Sequence, residues 1–160
     1  MRWNLARFGA PVAVDASPGV ALPLEETLAA ALNLARRDAT VARSLPVLFA
    51  KNKDHLDLPR LEFLARKQGS LRVLGFFLDL TAALLGNRRL HREARRLRDR
   101  RRKRAEDFFT ERKPNEFEER LAERNTPKVA RAWHFRLNMG MDSFESLFKK
   151  HLKEFEGPRS

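Results

Sequence analysis

The chain contains no cysteine and no tyrosine. The first absence excludes disulfides, thiolate metal sites and a cysteine nucleophile, and the second removes a common acid/base side chain. A cysteine-free chain suits a reducing compartment, so a cytoplasmic location is expected. Glycine is sparse at seven residues. The glycines form no phosphate-cradling loop and flank no serine in a GxSxG elbow. No apolar run approaches the roughly 18 residues that a membrane span needs. Arg2 and Arg7 look like the start of a signal peptide. However, the apolar stretch after Phe8 is broken by Pro11 and stops at Asp15, too soon for a cleavable leader.

Catalytic constellations are also missing. His55, His91, His134 and His151 stand in no HExxH or ExxH arrangement, so helical zinc and di-iron templates fail. His134 and His151 read as packed or hydrogen-bonded histidines. The adjacent pairs Glu25/Glu26 and Glu118/Glu119 would point about 100° apart on a helix and cannot converge on one substrate. The expectation is a protein that is not an enzyme and carries no metal or cofactor.

What the chain has is helical periodicity and positive charge. With 160 residues, 42% of them hydrophobic, it can bury one domain's core. Residues 1–23 hold Gly9, Pro11, Pro18, Gly19 and Pro23 and read as an irregular arm, with Trp3 and Phe8 as its anchors. A single helical domain is expected over 24–156, with a loose tail at 157–160. Its first helix starts near Pro23 or Leu24 and carries Leu28, Ala31, Leu32 and Ala35 at helical spacing. Asp38 or Thr40 caps a second helix, which Pro46 should kink or whose first turn it should end. Asp57 and Pro59 open a third, which Gly69 closes. Ser70 caps a fourth, which ends at Gly86.

That fourth helix is apolar nearly all round from Leu71 to Leu85, the mark of a central helix, and Gly75 within it should let a neighbour approach closely. Further on, residues 116–124 suit a short helix, Thr126 and Pro127 suit the start of another, and Asp142 with Glu145 suits a capping box for the last. That last helix carries Phe144, Leu147, Phe148, Leu152 and Phe155 on one face. No alternating strand pattern of useful length occurs. The fold class expected is all-α, a compact bundle of about six to eight helices.

The net charge is +12, and it is concentrated. Residues 88–104 read RRLHREARRLRDRRRKR, where eleven basic and two acidic residues leave +9. Leu90, Ala94 and Leu97 form a narrow stripe, so the segment reads as a basic helix with one packed side. Arg89–Glu93 and Arg95–Asp99 are candidate pairs across one turn. The remaining charge is mostly arginine, which bonds phosphates or carboxylates bidentately. The candidate binding residues are therefore Arg88, Arg89, Arg92, Arg95, Arg96, Arg98, Arg100, Arg101, Arg102, Lys103 and Arg104. The expected partner is nucleic acid, DNA or RNA, gripped by its backbone. An acidic protein partner is the alternative, and a solvated charged face the plainest one. A homodimer through Phe108, Phe109 or Phe117 is open, although core packing is the commoner fate of such rings.

The stretch LPRLEFLARKQGSLRVLGFFLDLTAALLGN, residues 58–87, resembles a helix pair in the C-terminal part of AbiEi-type antitoxins. Leu74-Gly75-Phe76-Phe77-Leu78 is its best-matching segment. The resemblance implies an antitoxin-like role: repressing an operator, countering a nucleotidyltransferase partner, or both. Residues 1–56 show no wing strands, unlike the winged helix-turn-helix with which that family usually begins.

Overall fold

A computed structural model describes residues 1–14, 18–101 and 103–155 of the chain, with side chains through Leu152. The tail expected at 157–160 lies outside the described residues. The protein is a helical bundle, as its periodicity predicts. The helices are α1 (Arg2–Arg7), α2 (Leu24–Ala35), α3 (Ala39–Asn52), α4 (Leu58–Lys67), α5 (Leu71–Leu85), α6 (Arg88–Arg96), α7 (Glu116–Asn125), α8 (Lys128–Ala132) and α9 (Met141–Phe155). Two short strands, β1 (Glu106–Asp107) and β2 (Phe135–Arg136), pair in parallel.

The centre is α5. Every residue from Val73 to Ala82 is buried except Asp79. Around it stand α2, α3, α4, α6 and α8, and α9 covers the outer side of α3. Gly75 permits the close approach its position suggested, since an added Cβ would overlap the Trp133 ring at the end of α8. A second small cluster joins α3 to α9 through Val47, Ala50 and Phe148.

Local signals set most helix boundaries. The Asp38 side chain accepts from the amides of Thr40 and Val41, and the Asp57 side chain accepts from that of Arg60. Gly86 ends α5 at φ 64°, where a side chain is disfavoured. Asn115 and Glu118 form a capping box on α7. Helix α3 runs on through Pro46, which sits among buried neighbours on its packed face.

Several expectations are corrected. The arm is not wholly irregular, because α1 forms ahead of Gly9 and buries Leu5. Asn4 ties the arm to the start of α2, donating to the Val20 carbonyl and accepting from the Leu22 amide, both at 2.9 Å. Trp3 and Phe8 are only half-buried, with the Arg7 guanidinium over both rings. Ser70 makes no capping bond, because its hydroxyl turns back to the Ala65 carbonyl. Thr126 does not cap α8 either. It ends α7, and its buried hydroxyl accepts from the Leu137 amide at 3.1 Å. The last helix begins at Met141, which places Asp142 in its first turn rather than at a capping box.

Phe108 is no surface anchor. It is fully buried, with ring centroids 5.1–5.8 Å from those of Phe76, Phe77, Phe109 and Phe135. The β1–β2 pairing carries Phe108 and Phe135 to the same spot: the Glu106 amide donates to the His134 carbonyl, and that of Phe108 to the Arg136 carbonyl.

Candidate nucleic-acid interface

The basic segment is helical over barely half the expected length. Asn87 caps α6 by accepting from the Leu90 amide at 3.1 Å, and the helix ends at Arg96. Continuing it would stack Arg96, Arg100 and Arg104 one turn apart, a like-charge column that opposes helix formation. Asp99 offers the backbone another course, its side chain accepting from the Arg101 amide at 2.9 Å. Such a local turn competes directly with helical bonding. Instead of the expected 88–104 helix there is a nine-residue helix, and the described residues from Leu97 to Arg101, with Lys103 and Arg104, are not helical.

The inner side of α6 is Leu90 and Ala94, both buried against α5. Helical geometry then puts Arg88, Arg92 and Arg95 on the opposite, solvent side. The two flanks are pinned. On one, His91 Nδ1 lies 2.6 Å from Asp79 Oδ1, and Asp79 also accepts from Trp133 Nε1 at 3.0 Å. On the other, Arg96 reaches across to α4 and bonds Glu62 at 2.7 and 3.3 Å. Glu62 also accepts from Arg66 at 3.1 Å. Arg96, and after it Arg66, hold the Glu62 carboxyl below its usual range.

The candidate residues therefore divide. Arg96 is tied to Glu62 and Glu93, while Arg101 and Lys103 are tied to Asp99. The Arg101 amide first, and then the Lys103 ammonium, lower the Asp99 carboxyl to about 2. Arg88, Arg89, Arg92, Arg95, Arg98, Arg100 and Arg104 are all exposed, and no ion pair engages them among the described residues. Neither anticipated pair forms among the described residues: Glu93 takes Arg96 rather than Arg89, and Asp99 leaves Arg95 alone. Arg102 lies outside the described residues.

Position in sequence did not signal the contribution of α4. Its Arg66 joins the Arg96 side of α6 through the shared Glu62, and Lys67 stands exposed beside it. The exposed spacing of Arg60, Phe63, Arg66 and Lys67 on one helix face was the available signal.

Among the described residues one hollow lies against the basic segment and a larger one lies apart from it. The first, of about 110 Å³, is lined by Arg72, Arg98, Asp99, Lys103, Trp133 and His134. His134 there holds φ 59°, a conformation that costs a non-glycine residue energy. The larger cleft, of about 530 Å³, lies elsewhere, by Arg37, Asp107, Phe109, Arg112, Glu118 and Arg136. Two ion pairs lie within it, Arg112 with Glu118 at 2.6 Å and Arg136 with Asp107 at 3.5 Å. Arg112, followed by the Asn115 amide, keeps Glu118 below the usual carboxylate range. Among the described residues no group of histidines and carboxylates is placed to hold a metal ion, and no helix is long and apolar enough to cross a membrane.

The chain matches no protein-family model, and no curated protein or solved structure is significantly similar to it.

Proposed function

We propose that this protein is a non-enzymatic nucleic-acid-binding protein that grips the phosphate backbone of DNA or RNA through the 88–104 segment. One observation carries the reading: seven exposed arginines within 17 residues have no carboxylate partner among the described residues, while neighbouring arginines do. Unpaired arginines at this density generate a strong positive field, and phosphate is the anion whose geometry their fork fits. The binding is backbone-directed and tolerant of sequence, since phosphate contacts carry no base information.

The test is Arg92→Ala/Arg95→Ala/Arg98→Ala. These side chains support no other group among the described residues, so the fold persists. Affinity for random oligonucleotides falls, and the slope of log K against log salt shrinks by about 2–3, the share of three phosphates no longer neutralised. Unchanged affinity and slope would remove the segment as the site. The same surface supports a second reading, an antitoxin-like or accessory protein whose arginines clamp an acidic partner such as a nucleotidyltransferase. A stoichiometric protein retained after nuclease treatment, with no shift of DNA or RNA, would favour that reading.

A further inference from the structure

One large side chain on the cationic side of the molecule has no structural work to do. Phe63 is 63% exposed on α4, a helix whose inner side, Leu61 and Ala65, is fully buried. On a helix of 3.6 residues per turn, position 63 lies diametrically opposite the midpoint of 61 and 65. The ring is thus at the crest of the outer face, away from the core. Of the four residues one turn away, three are exposed cations: Arg60, which is paired with Glu26, and Arg66 and Lys67; the fourth is Pro59. From Arg66 the chain of contacts is continuous, since Arg66 and Arg96 bond the same Glu62 carboxylate from α4 and α6. The crest of α4 and the free arginines of α6 therefore belong to one surface.

A lone exposed aromatic is unremarkable by itself. Phe117 makes the contrast. It is 69% exposed on α7, where Glu116, Glu118 and Glu119 crowd the first turn, and among the described residues no ion pair links that helix to α6. Of the two exposed rings among the described residues, Phe63 is the one whose helix is joined to α6 by ion pairs. Its surroundings are also too polar for a protein hot spot, which needs a wider apolar setting that excludes water.

We infer that Phe63 is a stacking platform for an unpaired base, which makes single-stranded nucleic acid the preferred ligand of the surface. This rests on the nucleic-acid reading above. In a duplex each base is covered on both faces by its neighbours, so a ring on a convex helix crest finds nothing to stack on. In a single strand each base offers a free face. Lys67 then holds a flanking phosphate, and the strand runs past Arg66 and Arg96, which share Glu62, toward the free Arg92 and Arg95. Ring-on-ring stacking accepts any base, in keeping with a site that has no base-reading helix.

The experiment compares single-stranded and duplex oligonucleotides of equal length on the full chain, using Phe63→Ala, Phe63→Trp, Phe117→Ala and Arg92→Ala/Arg95→Ala/Arg98→Ala. Phe63→Ala is expected to weaken single-strand binding about five- to hundredfold while leaving duplex binding within about twofold. Phe63→Trp restores it, and its added indole fluorescence is quenched on binding. Phe117→Ala changes neither. If Phe63→Ala binds single strands as the native chain does while the arginine variant has lost them, the platform is overturned and the nucleic-acid reading stands. If the native chain binds neither polymer, both fall. If Phe63→Ala instead alters the sedimentation coefficient, the ring serves self-association and the inference is wrong.

Discussion

Two sets of arginines in this protein differ in everything except residue type. Arg36 and Arg72 converge on Glu106 from α2's end and α5. Arg36 also donates to the carbonyls of Phe108 and Asp107, each at 2.9 Å. Its guanidinium lies over the Phe108 and Phe135 rings, and that of Arg72 lies 4.6 Å from the Phe135 centroid. Their side chains are only 23% and 25% exposed. Among the described residues, Arg88, Arg92, Arg95 and Arg98 have neither carboxylate nor carbonyl nor ring. The first set fastens the β1 strand to the helical core, and the second presents charge to solvent. Partners and burial, rather than composition, decide which role an arginine fills.

The sharpest way to break this contrast is to remove the floor beneath the fastened set. Phe108→Ala deletes a fully buried ring that packs against four other phenylalanines. It is expected to cost about 3–5 kcal/mol of stability, the usual toll of a large cavity in an aromatic core. Urea unfolding measures it. Nucleic-acid affinity per folded molecule should hold, because α6 rests on α5 through Leu90 and Ala94 instead. A variant that unfolds as the native chain does would mean the aromatic nest is not where the β1 segment is held.

Glu106→Ala has a smaller effect of the same kind. It leaves the Arg36 and Arg72 guanidiniums without their shared carboxylate, though Arg36 keeps two carbonyls. Because Glu106 is itself 44% exposed, water screens much of the loss, and about 1–2 kcal/mol is expected. The discriminating readout is paired. Glu106→Ala should lower the urea midpoint and leave the salt slope of nucleic-acid binding alone, whereas Arg92→Ala/Arg95→Ala/Arg98→Ala should do the reverse. If both variants moved both quantities, the two arginine sets would not be separable.

How far each region was legible in the sequence follows the same division. The centrality of α5 was plain, because a run with apolar residues on every side has only one place to go. Asp38, Asp57 and Gly86 announced their boundaries because capping is local chemistry. The free arginines were found as a cluster, since charge density survives any change of backbone path. Their conformation is less legible, because the stacked like charges and the turn that Asp99 closes both oppose a continuous helix from 88 to 104. The Glu106 hub was out of reach. Its partners lie 70 and 34 residues away, and no local pattern links them. The short arm helix was missed for the opposite reason, its Gly9 and Pro11 outweighing the six helical residues before them.

The smallest expected effect lies where the two sets meet in kind, at Asp99, the carboxylate that ties down part of an otherwise free segment. Asp99→Asn keeps an oxygen to accept the Arg101 amide, so the turn persists, but it releases the Arg101 and Lys103 side chains from a charged partner. Nucleic-acid affinity should rise a few-fold at low salt, with a salt slope steeper by about 1, the increment of one further phosphate neutralised. The native carboxyl supplies an internal check. Its folded value of about 2 lies below the roughly 3.9 of an unfolded aspartate. The ionised form is therefore favoured by folding, and its contribution, present above about pH 4, fades as pH falls through 2. Phosphates that bind Arg101 and Lys103 must compete with Asp99 for them. On adding an oligonucleotide, its carboxyl titration followed by NMR should move upward toward the ordinary range. A midpoint that stays near 2 with the oligonucleotide bound would mean that the strand bypasses the turn and rests on α6 alone.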